Sequence, residues 1–361
     1  MSGIAKLVAA ASLAAASVNL AAFEINPKHD PEKLKLTLKS EYQHFLAHLT
    51  HPTHEELTQL SFQCAATGSI AAWCNLSPMS PEAAASAQKF DEQTLILGAR
   101  WNDDPNNFFN ANQEATWLFW LKAAAHTNHI TDHYPLEYRS HFGDLQFLHG
   151  MGSNGDSASI TQQRIVDWAH FAYDVATQKI SPDASLASLH DKYSFVSSLT
   201  GTSKRDWSVR KLFTNVNDVL WPHYEDVSAD TAQVAALSLG ALLHTVQDSF
   251  SHSHADRIWD RNDGHFPVKA WLDYRAQKAS CHGAADKEFA FITDTVSPKP
   301  AMVWGAWIVR QAMLGEPWAG EMEKAFKTQL FEIEGSGRNS DAGGYDKCPA
   351  PVVSTLTSEA E

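Results

Sequence analysis

The sequence predicts an all-α fold, a single compact multi-helix domain, and three observations carry that expectation. Apolar residues recur at three- and four-residue spacing in long runs without proline, most clearly at 230–250. Strand-type alternation is scarce and no internal repeat is evident. The length of 361 residues is ample for one substantial core.

Taken in order, residues 1–22 carry one early lysine, Lys6, then a Leu/Val/Ala-rich run and small residues at Ala21-Ala22. That is the pattern of a secretory signal peptide, so the mature protein is expected to be secreted or periplasmic. No later segment has the unbroken apolar length needed for stable transmembrane insertion. The helical domain is expected over 23–334 and a loop-rich C-terminal tail over 335–361. Leu34, Leu38 and Tyr42 give a helical pattern that Pro52 interrupts. A second helix then begins at Pro52-Thr53-His54-Glu55-Glu56-Leu57, with Thr53 as N-cap, Glu56 completing a capping box and His54 in the first turn. Residues 77–86 read as a loop or short helix. Pro105 disfavours helical geometry at the residue before it, so Gly98 to Pro105 is expected to turn, presenting Asp103 and Asp104 beside Trp101.

Residues 113–131 and 158–180 read as helices, and between them lie His133, His141 and His149. Residues 181–228 are mixed, with a helix near 208–220. A buried helix at 230–250 precedes a polar turn at 260–267. A further helix is expected from Pro267, carrying Cys281-His282-Gly-Ala-Ala-Asp286 on it or its continuation. An amphipathic helix at 301–331, with Trp304, Trp307, Ile308 and Met313, completes the expected core.

The chemistry concentrates in His244-Thr-Val-Gln-Asp248-Ser-Phe-Ser-His252-Ser-His254. On a helix His244 and Asp248 lie about 40° apart on one face, an arrangement that can grip a single cation and points to zinc. If the helix continues unbroken, His252 falls nearer that face; if the Ser-rich run ends it, a loop can return His254. A hydrogen-bonded structural His–Asp pair is the plainer alternative. His141 and His149, eight apart, would stand about 80° apart on a helix. His170, on an aromatic-rich helix, reads as a core histidine with one partner. His282 and Asp286 repeat the four-residue spacing of the first pair.

Composition adds 18 His and 12 Trp to a formal charge of −14, a surface that does not attract polyphosphate and makes nucleic acid a poorer partner. The four cysteines, Cys64, Cys74, Cys281 and Cys348, allow three disulfide connectivities. The close pair Cys64/Cys74 favours a local loop, leaving Cys281 with Cys348.

In these residues the chain resembles the zinc-dependent phospholipases C, which share a superfamily with single-strand-specific nucleases. The match rests on His-x3-Asp-x5-His at His244, Asp248 and His254, which prefers His254 to His252. Before it come His54-Glu-Glu-Leu57, a loose match, then Trp101-Asn-Asp103 and Phe147-Leu-His149, with His170 in reserve; after it come His282 and Asp286. The phrases Arg-Trp-Asn-Asp-Asp-Pro, Gly-Asp-Leu-Gln-Phe-Leu-His and His-Thr-Val-Gln-Asp-Ser-Phe-Ser are most similar to the secreted bacterial and fungal metallophospholipase C branch.

The resemblance implies a compact helical fold holding two to three zinc ions in one cleft. The implied ligands are His54, Asp103, His149, His244, Asp248, His254, His282 and Asp286, with Asp103 and Asp104 as the catalytic candidates. It implies hydrolysis of phosphatidylcholine-like phospholipid at a membrane or micelle surface, giving diacylglycerol and a phosphorylated head group by metal-activated water. One departure is that the family's N-terminal Trp ligand has no counterpart, since the first Trp is Trp73. Either Asp104, or a histidine near the new N-terminus such as His29, substitutes, or the third zinc site is weak. A zinc-dependent single-strand nuclease or 3'-nucleotidase is the alternative enzyme, and a non-catalytic exported zinc-binding protein the alternative outside catalysis.

Overall fold

The computed structural model describes residues 53–68, 73–74, 76–105, 134, 136–153, 155–200, 207–214, 229–258, 265–277, 282, 285 and 300–338. Its helices are α1 (Thr53–Thr67), α2 (Pro81–Ser86), α3 (Glu92–Gly98), α4 (Leu136–Phe142), α5 (Ala158–Ala176), α6 (Val196–Thr200), α7 (Val209–Thr214), α8 (Thr231–Asp248) and α9 (Pro300–Leu314). Three short strands accompany them: β1 (Ala255–Arg257), β2 (Val268–Trp271) and β3 (Ile333–Arg338).

Helix α8 is the axis of the described structure. Asp230 caps it, accepting from the Gln233 amide at 2.8 Å while the Gln233 side chain accepts from the Asp230 amide at 2.8 Å. This reciprocal pair satisfies donors that a helix start otherwise leaves open. From Val234 nearly every residue of α8 is buried, including the polar Ser238, His244, Thr245, Gln247 and Asp248. Helices α1, α3, α5 and α9 pack around it. Against α3 the approach is so close that a Cβ on Gly240 would lie 2.1 Å from the Leu95 carbonyl oxygen, and one on Gly98 2.3 Å from that of Leu237.

On another side of α8, Trp101 stacks on Trp168 with ring centroids 5.4 Å apart, and Phe171, Phe195 and Phe213 close around the Trp168 ring. Thr245 ties this cluster to α8. Its hydroxyl accepts from the Trp168 indole and the Asn102 amide, each at 3.0 Å, and donates to the Leu148 carbonyl at 2.7 Å. One α8 side chain thereby holds two loops that a helical pattern alone would leave unplaced.

The expected all-helical architecture needs correction at three places. Where a helix was expected from Pro267, Val268–Trp271 forms β2, paired antiparallel to β1 and parallel to β3. Strands this short carry too little alternation to register in the sequence. They are pinned by buried Arg257, which donates to the carbonyls of Ser249, Phe266 and Leu330 at 2.6, 2.7 and 2.9 Å. The single helix expected over 301–331 is two segments, because Gly315 takes a left-handed φ of 68°, Pro317 follows, and Ala319 and Gly320 are extended and left-handed; helical structure resumes only after Gly320. The tail expected from 335 begins within strand β3.

Thr53 lies inside α1 rather than capping it. Cys64 and Cys74 form the expected local disulfide. The expected signal peptide, the helical patterns at 31–52 and 113–131, and Cys281 and Cys348 lie outside the described residues. Among those described, no helix is long and apolar enough to cross a membrane.

His170 has the single carboxylate partner expected of it, but it is half-buried rather than part of the core. Its Nε2 lies 3.2 Å from Asp174 and its ring stacks on Trp318. The same Asp174 oxygen accepts from Lys192 Nζ at 2.7 Å and from the Tyr193 hydroxyl at 2.6 Å. Burial alone would raise this carboxyl, but His170, Lys192 and Tyr193 together hold it well below the usual carboxylate range. Because the folded value lies below the unfolded one, its stabilisation is complete above about pH 4 and disappears as the pH falls. Asp174→Asn is therefore expected to cost about 1–3 kcal/mol at pH 7, and less on acidification. Urea unfolding midpoints of the two proteins across pH 3–7 would show the gap narrowing toward the acid end.

Candidate metal centre

Several separate parts of the chain bring imidazoles and carboxylates together at the C-terminal half of α8. His244 and Asp248 face the same way one turn apart, with Asp248 Oδ2 2.9 Å from His244 Nε2. The first turn of α1 delivers His54, whose Nε2 is 3.2 Å from Asp248 Oδ1. The turn after α3 delivers Asp103. A 3₁₀ turn, Gln146–His149, delivers His149, whose Nδ1 is 2.9 Å from Asp248 Oδ2. The chain leaves α8 at Ser249 and turns back, bringing in His254, and His282 packs beside it with ring centroids 4.7 Å apart. All these side chains are buried.

Each histidine is tethered by one ring nitrogen to an oxygen outside the cluster. His54 Nδ1 meets Gln247 Oε1 at 2.8 Å, and the Gln247 amide is fixed in turn by donating to Thr58 at 2.9 Å. His244 Nδ1 donates to the Ala99 carbonyl at 2.6 Å, His149 Nε2 to that of Asn102 at 3.0 Å, and His254 Nδ1 to that of His149 at 2.6 Å. His141 Nδ1 donates to the Glu137 carbonyl at 2.6 Å, and His282 Nδ1 meets Gln277 Oε1 at 3.0 Å. A carbonyl or amide oxygen can only accept, so the tethered nitrogen carries a proton. This is the outer support that metal-ligating histidines characteristically have.

The electrostatics agree. Burial, followed by the neighbouring His244, lowers His54; burial, followed by His141, lowers His149 to about 4. Burial would lower His244 too, but Asp248 and Asp103 outweigh it and raise this imidazole to about 9. A proton on His244 Nε2 thus stands where a cation between the two carboxylates would stand. Asp103 and Asp248, despite burial, are held below the carboxylate range by the surrounding imidazoles. Asp103 Oδ2 is buried with no hydrogen-bond partner, an arrangement costing about 1–3 kcal/mol unless something else satisfies the oxygen.

Three overlapping triads have ligand atoms within 4.8 Å of one another: His54, Asp103 and His244; Asp103, His141 and His149; His149, His244 and Asp248. The cavity among these side chains, edged by Tyr274 and His282, has a volume of about 10 Å³, the size of an ion or a single water. Buried His and Asp groups here can hold metal ions.

Of the residues expected from sequence, His54, Asp103, His149, His244, Asp248, His254 and His282 meet in one place. Asp286 lies outside the described residues, as do His29 and His133. Asp104 does not join the cluster: successive residues of the turn point apart, and it lines a separate cavity with Arg100, Thr94 and Gln233. It is therefore not placed to act as the second catalytic carboxylate or to stand in for a missing terminal ligand. The helix ends at Asp248, so His254 rather than His252 reaches the site, while half-buried His252 does not line it. His149 takes the place for which His170 was the reserve.

His141 was not among the residues expected in the cluster. Its only sequence signal is the spacing of eight from His149, which on an unbroken helix separates the two. The chain instead breaks after Phe142, and a bidentate pair from Arg139 to Asp144, at 2.9 and 2.8 Å, pins the turn that sets the rings 4.6 Å apart. Comparison with models of known protein families, with curated proteins and with solved structures gives no match, so assignment of the centre rests on its own chemistry.

Proposed function

We propose that this chain is an exported zinc-dependent phosphodiester hydrolase, a phospholipase C acting on phosphatidylcholine-like phospholipid at a membrane or micelle surface. The observation that carries the proposal is the set of buried imidazoles around two carboxylates, each imidazole held at one ring nitrogen by an oxygen acceptor. An all-nitrogen-and-oxygen donor set without thiolate suits zinc. Zinc, when bound, supplies Lewis-acid polarisation of phosphoryl oxygens and a more acidic water.

The chain's own residues do the rest. His54, His149, His244, His254 and His282 fix position, and Asp248, which lies 2.9–3.6 Å from four of them, fixes their spacing. Asp103 offers an unpartnered oxygen inside the cluster, able to ligate or to orient water. The deep burial keeps bulk water from screening the centre. The formal charge of −14 supports a lipid substrate over a nucleic acid. The Cys64–Cys74 disulfide supports an oxidising compartment.

One observation favours a second reading. A cavity of about 10 Å³ fits ions and no head group, as in a closed structural centre rather than one with an open position. Chelation separates the readings. On the proposal, stripping metal from the purified protein abolishes phosphatidylcholine hydrolysis with helical circular dichroism retained, and added zinc restores turnover. Cleavage of single-stranded DNA instead would assign a nuclease, and loss of helicity without turnover on either substrate would assign a structural centre.

A further inference from the structure

Behind the turn that carries Asp103, we infer a second binding site, for a small zwitterion whose anionic group meets Arg100 and whose cationic end meets Asp104 and the rings of Trp101 and Phe213. The inference stands apart from the metal-centre reading, since the two cavities share no lining residue among those described.

The turn from Ala99 to Asp104 serves two places. Its Ala99 carbonyl and Asp103 carboxylate belong to the cluster. Arg100, Trp101 and Asp104 instead line a cavity of about 210 Å³, together with Phe213 of α7 and Gln233 and Leu237 of α8. A water's share of liquid volume is about 30 Å³, so the space exceeds that of a lone water.

Arg100 supplies the anion-binding group. It is 6 % exposed, and its Nη2 is buried with no hydrogen-bond partner. Its ion-pair neighbour is Glu55, with Nε 3.6 Å from Oε1, beyond hydrogen-bonding distance. A guanidinium stays charged at any ordinary pH, so a buried one with an unmet donor is unfavourable until an anion pairs with it. The cavity's hydroxyls are committed elsewhere: Thr94 donates to Asp91 at 2.7 Å and Thr214 to the Arg210 carbonyl at 2.8 Å.

The opposite sign comes from Asp104, which is also buried. Beside it in the lining are Trp101 and Phe213, with ring centroids 5.3 Å apart, and aromatic faces favour a cation. The Trp101 ring is fixed because its indole donates to the Leu212 carbonyl at 2.9 Å. A guanidinium and a carboxylate in one small cavity select a ligand that carries both signs: a bare anion would meet Asp104, and a bare cation would meet Arg100. The competing explanation is a loose structural Arg100–Glu55 pair beside an unused void.

Calorimetric titration of phosphocholine into the purified full chain decides between them. The variants are Arg100→Met, which keeps the length of the side chain without its charge, and Leu237→Trp, which fills the cavity without touching Arg100. With circular dichroism unchanged, each is expected to bind phosphocholine at least ~10-fold more weakly than the wild type. Choline alone and inorganic phosphate alone are each expected to bind the wild type at least ~10-fold more weakly than phosphocholine does.

Undiminished binding in both variants would place the probe at the metal centre and overturn the inference. Inorganic phosphate binding as tightly as phosphocholine would overturn the zwitterion assignment. A readout that needs no variant is the guanidinium nitrogen spectrum of the wild type. The Arg100 resonances should shift on phosphocholine addition, and unmoved resonances at a saturating concentration would leave Arg100 to its pair with Glu55 and overturn the site.

Discussion

An Asp248→Ala protein is expected to purify with most of its metal missing and to show turnover reduced at least about a thousandfold. Asp248 is the hub of the cluster: one oxygen lies 2.9 Å from both His244 and His149 and 3.6 Å from His254, and the other 3.2 Å from His54. No other group within the cluster duplicates that position. Asp103 stands 3.7–3.9 Å from its imidazole neighbours His141, His149 and His244 and cannot serve all the same partners. A metal centre contributes several kcal/mol of transition-state stabilisation, and each 1.4 kcal/mol is tenfold in rate, which sets the expected loss. Asp248→Asn would separate shape from charge, since an amide fills the space but supplies no negative charge. Metal content and turnover measured on both variants test the assignment, and a fully metallated, active Asp248→Ala protein would refute it.

Gly240→Ala is expected to destabilise the fold by about 3 kcal/mol or more, the upper end of what overpacking costs. Helix propensity predicts the opposite sign, because alanine in a helix interior is favoured over glycine by about 1 kcal/mol. The measured sign therefore tells whether the α3–α8 contact governs. The added Cβ would meet the Leu95 carbonyl oxygen at 2.1 Å, and backbone there cannot swing aside as a flexible side chain could. The effect should reach the centre. His244 lies one turn beyond Gly240, and its Nδ1 is held at 2.6 Å by the carbonyl of Ala99, next to Gly98. Forcing the helices apart lengthens the bond that fixes the His244 tautomer, so zinc affinity should fall along with the urea midpoint. A Gly240→Ala protein with a wild-type or higher midpoint would show that the contact is softer than its geometry implies.

The limits of the sequence reading follow from which interactions are local. The helix around His244 and Asp248 was legible because four-residue spacing on a helix is a property of the backbone, and a proline-free run of Ala and Leu announces it. The turn holding Asp103 was legible because Pro105 restricts its neighbour. The Cys64–Cys74 bridge was legible from a separation of 10 residues. By contrast β1, β2 and β3 escaped detection, since three to six residues carry little periodicity and their pairing joins 255–257 to 268–271 and 333–338.

What the sequence determined by itself was the mostly helical character and the identity of the groups able to bind a cation. These follow from helical periodicity and from side-chain chemistry, both of which are properties of short stretches of chain. Only the tertiary structure decided which of those groups share a centre. It set Asp104 apart from the cluster and brought His141 into it, and it placed His254 there as the resemblance had implied. Each of those outcomes depends on the direction a side chain takes where a helix stops, and that direction is set by contacts outside the periodic pattern: Ala99 against His244, Gln247 against His54, and Arg139 against Asp144 in the turn between His141 and His149.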